Sequence, residues 1–104
     1  MRQHDVESIV VEAIHSKHVV EVDYIREEDS ARTCRLMEPF DVAAGRRSKN
    51  DELKFWGWCQ FHNRIEQKTI PNIISVTITD QGFDPEMRER TFTSPPDYRI
   101  PRNW

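Results

Sequence analysis

The middle of the chain, from Leu53 to Thr79, alternates hydrophobic and polar residues in the way that β-strands do. Large apolar rings fall on both sides of the first predicted strand, so we expect a central strand that is covered on two faces. One face carries Leu53, Phe55, Gly57 and Cys59, and the other carries Lys54, Trp56, Trp58 and Gln60. We expect the rest of the chain to pack around this β-structure.

Two more strands are predicted after this one. A turn falls at residues 61–64, in which Asn63 is the residue most tolerant of a positive φ. Residues 64–70 and 73–79 are rich in Ile, Val and Thr, which suit a half-buried, pleated surface. Pro71 breaks the pattern between them. The sequence therefore predicts a hairpin followed by a third strand.

The N-terminal segment predicts one short helix over residues 5–17. Its apolar residues recur at spacings that place them on one helical face. Asp5 precedes them and is expected to cap the first turn by accepting a backbone hydrogen bond. The predicted buried face consists of Val6, Ile9, Val10, Ala13 and Ile14.

Two further strands are predicted between the helix and the hairpin. Residues 19–25 place three apolar side chains on one face, which indicates a one-sided strand. A strand over residues 32–38 should end before Pro39, because proline removes a donor from the sheet ladder. A short additional strand is expected over residues 40–43.

The last part of the chain, residues 86–104, has a different character. Prolines at positions 95, 96 and 101 oppose both helix and central strand, so we expect an extended tail. Its aromatic side chains either cover the edge of the chain's own sheet or dock on a second copy or another protein. The rest, residues 1–85, reads as an α+β domain: one N-terminal helix and an antiparallel β-barrel of about five strands over residues 19–85.

Length and composition fit a single soluble domain. The 104 residues are 37% hydrophobic and 32% charged, which allows a modest core and a large polar surface. Neither a long apolar run nor a basic segment followed by an apolar one is present, so a cytoplasmic protein without membrane contact is predicted. Cys34 and Cys59 lie inside strand patterns and are expected to be reduced, buried thiols.

Charge is distributed unevenly, although the net charge is only −3. In the first 30 residues, eight acidic side chains stand against three basic ones, whereas residues 31–68 have a basic excess. Such a split attracts an anion to one side of a small domain. The sequence pI near 5.8 argues against non-specific binding of duplex nucleic acid as the main task.

Two arginines are the main candidates for ligand binding. Arg35 and Arg64 could converge on an anion, because a guanidinium group matches the geometry of phosphate or carboxylate and stays charged at any physiological pH. The alternative is that each arginine pairs with a nearby carboxylate, such as Glu38 or Glu66, on a solvated sheet face.

Tryptophans and a basic loop supply further candidates. Trp56 and Trp58 share a face and could stack nucleobases, or they could be core or subunit contacts. Arg46, Arg47 and Lys49 could follow a phosphate backbone, although a solvated loop is the commoner role of such a cluster.

The cysteine and histidine side chains raise two possibilities, a metal site and an enzymatic site. Cys59 and His62 have the spacing of half a metal site, to which Cys34 and His18 could add ligands. Because a matching second pair is missing, no structural zinc site is predicted. A Cys-His nucleophile lacks an orienting third group and an oxyanion donor in the sequence. We therefore predict no metal, no cofactor and no enzymatic activity.

Six short motifs follow one another along the chain: Val19 to Tyr24, Arg35-Leu36-Met37-Glu38-Pro39, Gly57-Trp58-Cys59, Asn63-Arg64, Ile73-Ile74-Ser75-Val76 and Gly82-Phe83-Asp84-Pro85. Their order resembles that of the WYL-domain family over about residues 6–85. The resemblance implies a stand-alone, divergent member with an SH3-like or Sm-like barrel. It also implies a binding or sensing module in bacterial transcription regulation or defence.

The ligand implied by this resemblance is an anionic small molecule, such as a nucleotide, or single-stranded nucleic acid. Its site would use Arg35 and Arg64, with Tyr24 as a floor and Trp58 beside them. The family's namesake triplet is replaced here by residues 53–55, and its Asp-Arg pair by residues 71–72. These departures favour the alternative of a degenerate pocket in a protein-interaction or oligomerisation module. Such a module would bind a second copy or a regulator through Trp56, Trp58 or the tail.

Overall fold

The computed structural model describes residues 1–45, 52–94 and 96–102. They form an N-terminal helix, five strands and a second, short helix, which confirms the predicted α+β class. Within this part of the chain, no helix combines the length and the apolar character needed to cross a membrane. The elements are α1 (Gln3–Ser16), β1 (His18–Ile25), β2 (Arg32–Ala44), β3 (Leu53–Cys59), β4 (Arg64–Thr69), a 3₁₀ turn (Ile70–Asn72), β5 (Ile73–Gly82) and α2 (Pro85–Glu89).

The five strands form one antiparallel sheet in the order β4-β3-β2-β1-β5. Because β4 and β5 lie at its two edges, the sheet is open over the described strands, and a closed barrel is not confirmed. β2 is 13 residues long and carries a register shift between Pro39 and Asp41. An irregularity of this kind bends a strand and increases its twist.

The prediction that Pro39 ends the second strand is wrong. β2 runs through Pro39 and joins the two strands predicted over residues 32–38 and 40–43. Pairing with β1 stops at Met37, while pairing with β3 continues to Ala44. Pro39 therefore lies beside a bulge on a part of β2 with one strand neighbour, and such positions tolerate a missing N–H.

Helix α1 covers one face of the sheet with side chains from the predicted apolar face, four of which are buried. It begins at Gln3 rather than at the predicted position, so Asp5 lies in the first turn and does not cap the helix. Arg2 occupies the N-cap position without a side-chain capping bond. Lys17, with a φ of 57°, ends the helix in the left-handed conformation and directs the chain into β1.

The local breaks between the later strands agree with the sequence. Asn63 has a φ of 57° in the turn between β3 and β4, as predicted. Pro71 lies in the 3₁₀ turn that separates β4 from β5. These two positions confirm the predicted hairpin and third strand.

The start of the C-terminal segment differs from the prediction, because residues 85–89 are helical and not extended. The Asp84 carboxylate caps α2 by accepting a hydrogen bond of 3.1 Å from the Glu86 backbone N–H. Pro85 occupies the first turn, where its missing N–H costs nothing. The sequence Asp-Pro-Glu is a helix-start signal, whereas the prediction of an extended segment relied on the later prolines alone.

Strand β3 is covered on both faces, as its pattern predicted. Phe55 and Cys59 are fully buried in the core shared with α1, whereas Trp58 is buried on the opposite face, which we call the outer face. The prediction of two buried thiols is correct for Cys59 and wrong for Cys34, which is exposed on β2. Both cysteines are free.

Gly57 of β3 lies opposite Pro39 of β2. A Cβ atom there would come within 3.0 Å of the Glu38 carbonyl oxygen and 3.1 Å of the Phe55 ring. We expect Gly57→Ala to lower the free energy of unfolding by about 1–3 kcal/mol, because the backbone contact cannot yield. Gly82→Ala is the matched control, since its Cβ would meet the Lys17 carbonyl oxygen at an ordinary 3.6 Å. Urea unfolding measures both, and equal stabilities would contradict the expectation.

Candidate functional site

A cavity of about 640 Å³ lies between the outer face of β3 and the C-terminal segment. Trp56 and Trp58 form its β3 side, and Arg64 contributes from the start of β4. Residues 91–94 and 96–98 form the facing wall, which includes Phe92 and Tyr98. We call it the aromatic cavity. It is large enough for a drug-sized ligand.

The two tryptophans of the aromatic cavity have different surroundings. The Trp56 indole N–H donates to the Ala43 carbonyl oxygen at 3.1 Å, and its ring is half-buried. Trp58 is 8% exposed, and the guanidinium carbon of Arg88 lies 4.6 Å from its ring centroid. The indole N–H of Trp58 is buried and has no hydrogen-bond partner among the described residues. Trp58 thus lines the cavity, while its indole N–H is buried beneath the surface.

Arg64 lies at the rim of the aromatic cavity, with 69% of its side chain exposed. Its Nε donates to the Glu66 carboxylate at 3.1 Å, which is the local pairing considered as the alternative role. Salt bridges this exposed contribute little to stability. The Arg64 side chain can therefore turn toward a ligand at small cost.

A second, more polar cavity of about 510 Å³ lies between the β1–β2 loop and β4. Tyr24 lines it, and the Lys68 ammonium donates to the Tyr24 hydroxyl at 3.0 Å while lying 4.2 Å from its ring centroid. Arg64 also lines this polar cavity, together with the acidic loop residues 27–29. Charges of both signs thus face the space.

Arg35 lies apart from both cavities. Its Nη1 donates to the Cys34 carbonyl oxygen at 3.0 Å, and its guanidinium carbon lies 4.2 Å from the Phe61 ring centroid. Arg35 lines neither the aromatic nor the polar cavity. Of the four predicted ligand-binding residues, Arg64 and Trp58 share the aromatic cavity, while Tyr24 lines the polar one. Trp56 joins the first pair.

The predicted nucleic-acid contacts Arg46, Arg47 and Lys49 lie outside the described residues. Trp56, which was predicted as a nucleic-acid contact together with them, is described and lies on β3 at the aromatic cavity.

A buried ion pair joins α2 to the outer face of the sheet. The Glu38 carboxylate is 1% exposed and accepts hydrogen bonds of 2.9 and 3.0 Å from the Arg88 guanidinium. Gln60 donates to the same carboxylate at 3.1 Å. The hydrogen bonds and the negative charge of Glu38 raise the pKa of Arg88. Since Arg88 also stacks on Trp58, this pair positions the chain just before the cavity wall.

The other end of the cavity wall is held by Asp41, which is 5% exposed. Its carboxylate accepts hydrogen bonds from the backbone N–H groups of Arg99 at 2.8 Å and Ile100 at 3.0 Å. Ile100 is buried in the main core. Residues 98–102 therefore lie along β2, which is the self-coverage considered for the tail.

Cys59, His62 and Glu66 lie together at the β3–β4 hairpin. Nδ1 of His62 is 3.5 Å from the Cys59 sulfur and 3.0 Å from a Glu66 oxygen. Burial raises the pKa of Glu66, but the hydrogen bond with His62 and the charge of Lys68 outweigh burial and lower it to about 2. Lys68 and Arg64 contact the carboxylate at 3.4 and 3.1 Å. Glu66 is therefore ionised in the folded protein.

The sequence offers Cys34 and His18 as further metal ligands beside Cys59 and His62. Neither Cys34 nor His18 belongs to the cluster, and Glu66 takes that role. In the hairpin, Cys59 pairs with Arg64 and the next residue on the same face of β4 is Glu66. Alternation across the predicted hairpin is the signal that could have identified Glu66. Arg88 and Asp41 carried no comparable signal, because their partners are far away in sequence.

Comparison with known proteins identifies the fold only. No protein-family model matches the chain, and no curated protein matches it. The structure is similar to part of the proteasome accessory factor B/C (PafBC) of Arthrobacter aurescens, with a TM-score of 0.70 and 12% sequence identity. The match covers 94% of this chain and 14% of the PafBC chain. At this identity the likeness establishes a shared fold, which is consistent with the expected WYL-like domain.

The Glu38–Arg88 pair gives a stability prediction. We expect Arg88→Ala to lower the free energy of unfolding by about 3–5 kcal/mol, because it leaves a buried carboxylate without its cation. Arg32→Ala is the matched control. Its 2.5 Å pair with Asp23 is exposed on the arginine side, so its removal should leave the stability almost unchanged. Denaturant unfolding compares the two variants, and similar losses would show that the buried pair has no special role.

Proposed function

We propose that this protein is a non-enzymatic binding or sensing module of WYL type whose ligand occupies the aromatic cavity. The ligand is an anion that carries an aromatic ring, such as a nucleotide or a segment of single-stranded nucleic acid. The observation that carries this proposal is that Trp56, Trp58 and Arg64 line one cavity. A role in bacterial transcription regulation or defence is the biological setting we infer.

The chemistry of the cavity suits such a ligand. Base stacking on an aromatic side chain contributes about 1–3 kcal/mol per base and tolerates any base, because every base has a π-face. Trp56 is half-buried at the cavity and offers its ring for this contact. The Arg64 guanidinium at the rim matches the geometry of a phosphate.

The WYL-type assignment is supported by the order of elements and by the likeness to PafBC. β2 is long and carries a bulge, and a 3₁₀ turn connects β4 to β5. Both features suit a sheet that curls into an SH3-like or Sm-like barrel. The likeness to PafBC extends over 94% of this chain at a TM-score of 0.70.

Cys59, His62 and Glu66 have the residue types of a nucleophilic triad but not its geometry, which fits a binding role. The Cys59 side chain is fully buried, so its sulfur is closed to a substrate. Cys59 and Glu66 both face Nδ1 of His62. In a nucleophilic triad the nucleophile and the carboxylate contact opposite nitrogens of the ring.

Titration with short single-stranded oligonucleotides and with nucleotide second messengers tests the proposal. Arg64→Ala and Trp56→Ala are each expected to weaken binding about 10-fold or more, as the loss of one stacking or charged contact implies. Binding should weaken as salt rises from low to moderate concentration. Calorimetry on the full chain provides the affinities.

Arg32→Ala and Arg35→Ala are charge-matched controls, because neither arginine lines the aromatic cavity. Both variants should bind as the unaltered protein does. A double variant Arg35→Ala plus Arg64→Ala that keeps full affinity would remove the proposal. A loss caused by Arg35→Ala alone would move the site to the Phe61 side of the sheet.

An exposed aromatic side chain favours protein interaction as a second candidate function. Phe61, in the turn between β3 and β4, is 70% exposed and forms an apolar patch on the surface. The sequence suggested Trp58 and the tail for such contacts, but Trp58 is buried against Arg88 and the tail contacts Asp41 of the chain's own sheet.

Light scattering over a range of protein concentrations tests this second function. If the chain self-associates through this patch, Phe61→Ser should return it to a monomer, while Met87→Ser, at a side chain that is 46% exposed, serves as the control. A chain that is monomeric throughout the range, or an assembly that Phe61→Ser leaves intact, would count against self-association through Phe61.

A further inference from the structure

Three donors of different chemistry meet at the β3–β4 hairpin: the thiol of Cys59, the imidazole of His62 and the carboxylate of Glu66. Their donor atoms all lie within 4.8 Å of one another. We propose that these residues form a zinc-binding site, in which the Cys59 thiolate, Nδ1 of His62 and one oxygen of Glu66 are the ligands. This inference does not rest on the function proposed above.

The spacing of the donor atoms fits a zinc ion. Bonds of about 2.3 Å to sulfur and about 2.0–2.2 Å to nitrogen or oxygen place neighbouring ligands of a tetrahedron roughly 3.3–3.6 Å apart. Nδ1 of His62 lies 3.5 Å from the Cys59 sulfur, and 3.2 and 3.0 Å from the two Glu66 oxygens. Two edges of one tetrahedral face are therefore close to the required length, and the Cys59 sulfur and the Glu66 carboxylate lie within 4.8 Å of each other. The fourth position is left to water, as in three-ligand zinc sites.

All three groups already share hydrogen bonds, because the Glu66 carboxylate interacts with both His62 and the Cys59 thiol. Cys59 and Glu66 also both face the same ring nitrogen of His62. A metal ion in place of the shared protons engages all three donors at once. Thiolate, imidazole and carboxylate are also the three ligand types that zinc takes in proteins.

The positive side chains around Glu66 permit a cation. The thiolate and the carboxylate together balance the two charges of a zinc ion. Lys68 has another partner, since it donates to the Tyr24 hydroxyl at 3.0 Å. Arg64 is 69% exposed on its side chain and can turn into water. Neither cation depends on Glu66, so the carboxylate can turn one oxygen to the metal.

Access and proton balance follow from the burial of the ligands. The Cys59 side chain is fully buried, whereas the His62 side chain is 37% exposed, so the ion enters past the imidazole. On binding, the S–H bond of Cys59 breaks, the sulfur–zinc bond forms and the proton passes to solvent. No oxidant or reductant takes part. Zinc binding should therefore release a proton, as thiolate sites do.

Metal titration of the full chain tests the site. Zinc should bind in a one-to-one ratio with proton release, and cobalt(II) in its place should give thiolate-to-metal charge-transfer absorption. Cys59→Ser should abolish that absorption. His62→Ala changes an exposed side chain of the turn, so the fold should persist. The affinity for zinc should fall at least about tenfold, because even the loss of a residue that only contacts a metal ligand weakens binding by about that much.

Cys34→Ser and His18→Ala are the matched controls, because each changes the same residue type outside the cluster. Both should bind zinc and cobalt as the unaltered protein does. The proposal is overturned if the unaltered protein binds no zinc at micromolar concentration, or if His62→Ala binds as tightly. It is also overturned if the cobalt absorption depends on Cys34 instead of Cys59. None of these outcomes involves a nucleotide, so they are distinct from failure of the proposed function.

Discussion

The second half of β2 has a strand neighbour on one side only, and this deficiency determines where the C-terminal segment lies. β1 pairs with β2 as far as Met37, whereas β3 pairs along the rest of the strand. Backbone groups on a covered sheet edge need hydrogen-bond partners. The Arg99 and Arg102 side chains supply them by donating to the carbonyl oxygens of Val42 and Phe40. The irregular segment that contains Arg99 and Arg102 thus supplies hydrogen-bond donors that a neighbouring strand would otherwise provide.

The aromatic cavity is a consequence of that docking. Asp41 holds the segment at one end through backbone N–H groups, and the Glu38–Arg88 pair holds it at the other. Between these two points, residues 91–94 and 96–98 lie over the outer face of β3, where Trp56 and Trp58 lie. Neither wall would enclose a ligand alone. A buried ion pair and a buried carboxylate are costly to form, but breaking either one removes the geometry that the cavity requires.

The β3–β4 hairpin connects the aromatic cavity with the cluster of Cys59, His62 and Glu66. Arg64 lines the aromatic cavity and also donates to Glu66 at 3.1 Å. Glu66 in turn contacts His62 beside the buried Cys59 sulfur. A change in the charge of Glu66 therefore acts directly on Arg64, the cation at the rim of the cavity. The tight turn at Asn63 keeps these groups in a fixed register, since one residue of slippage would move each side chain to the other face.

The sequence by itself determined the elements and several members of the site. Periodicity identified the buried face of α1, the two-sided burial of β3, the turn at Asn63 and the break at Pro71, because these depend on residues that are close along the chain. Only the tertiary structure decided that β2 continues through Pro39, since this depends on where pairing with β1 ends. It also decided which candidates meet, since Trp56, Trp58 and Arg64 share a cavity while Arg35 lies against Phe61. Three further residues have partners that no local pattern indicates: Glu66, Arg88 and Asp41. The physical reason is that stacking, ion pairing and cavity formation act across space, between segments whose approach is set by the burial and hydrogen-bonding needs of the whole sheet.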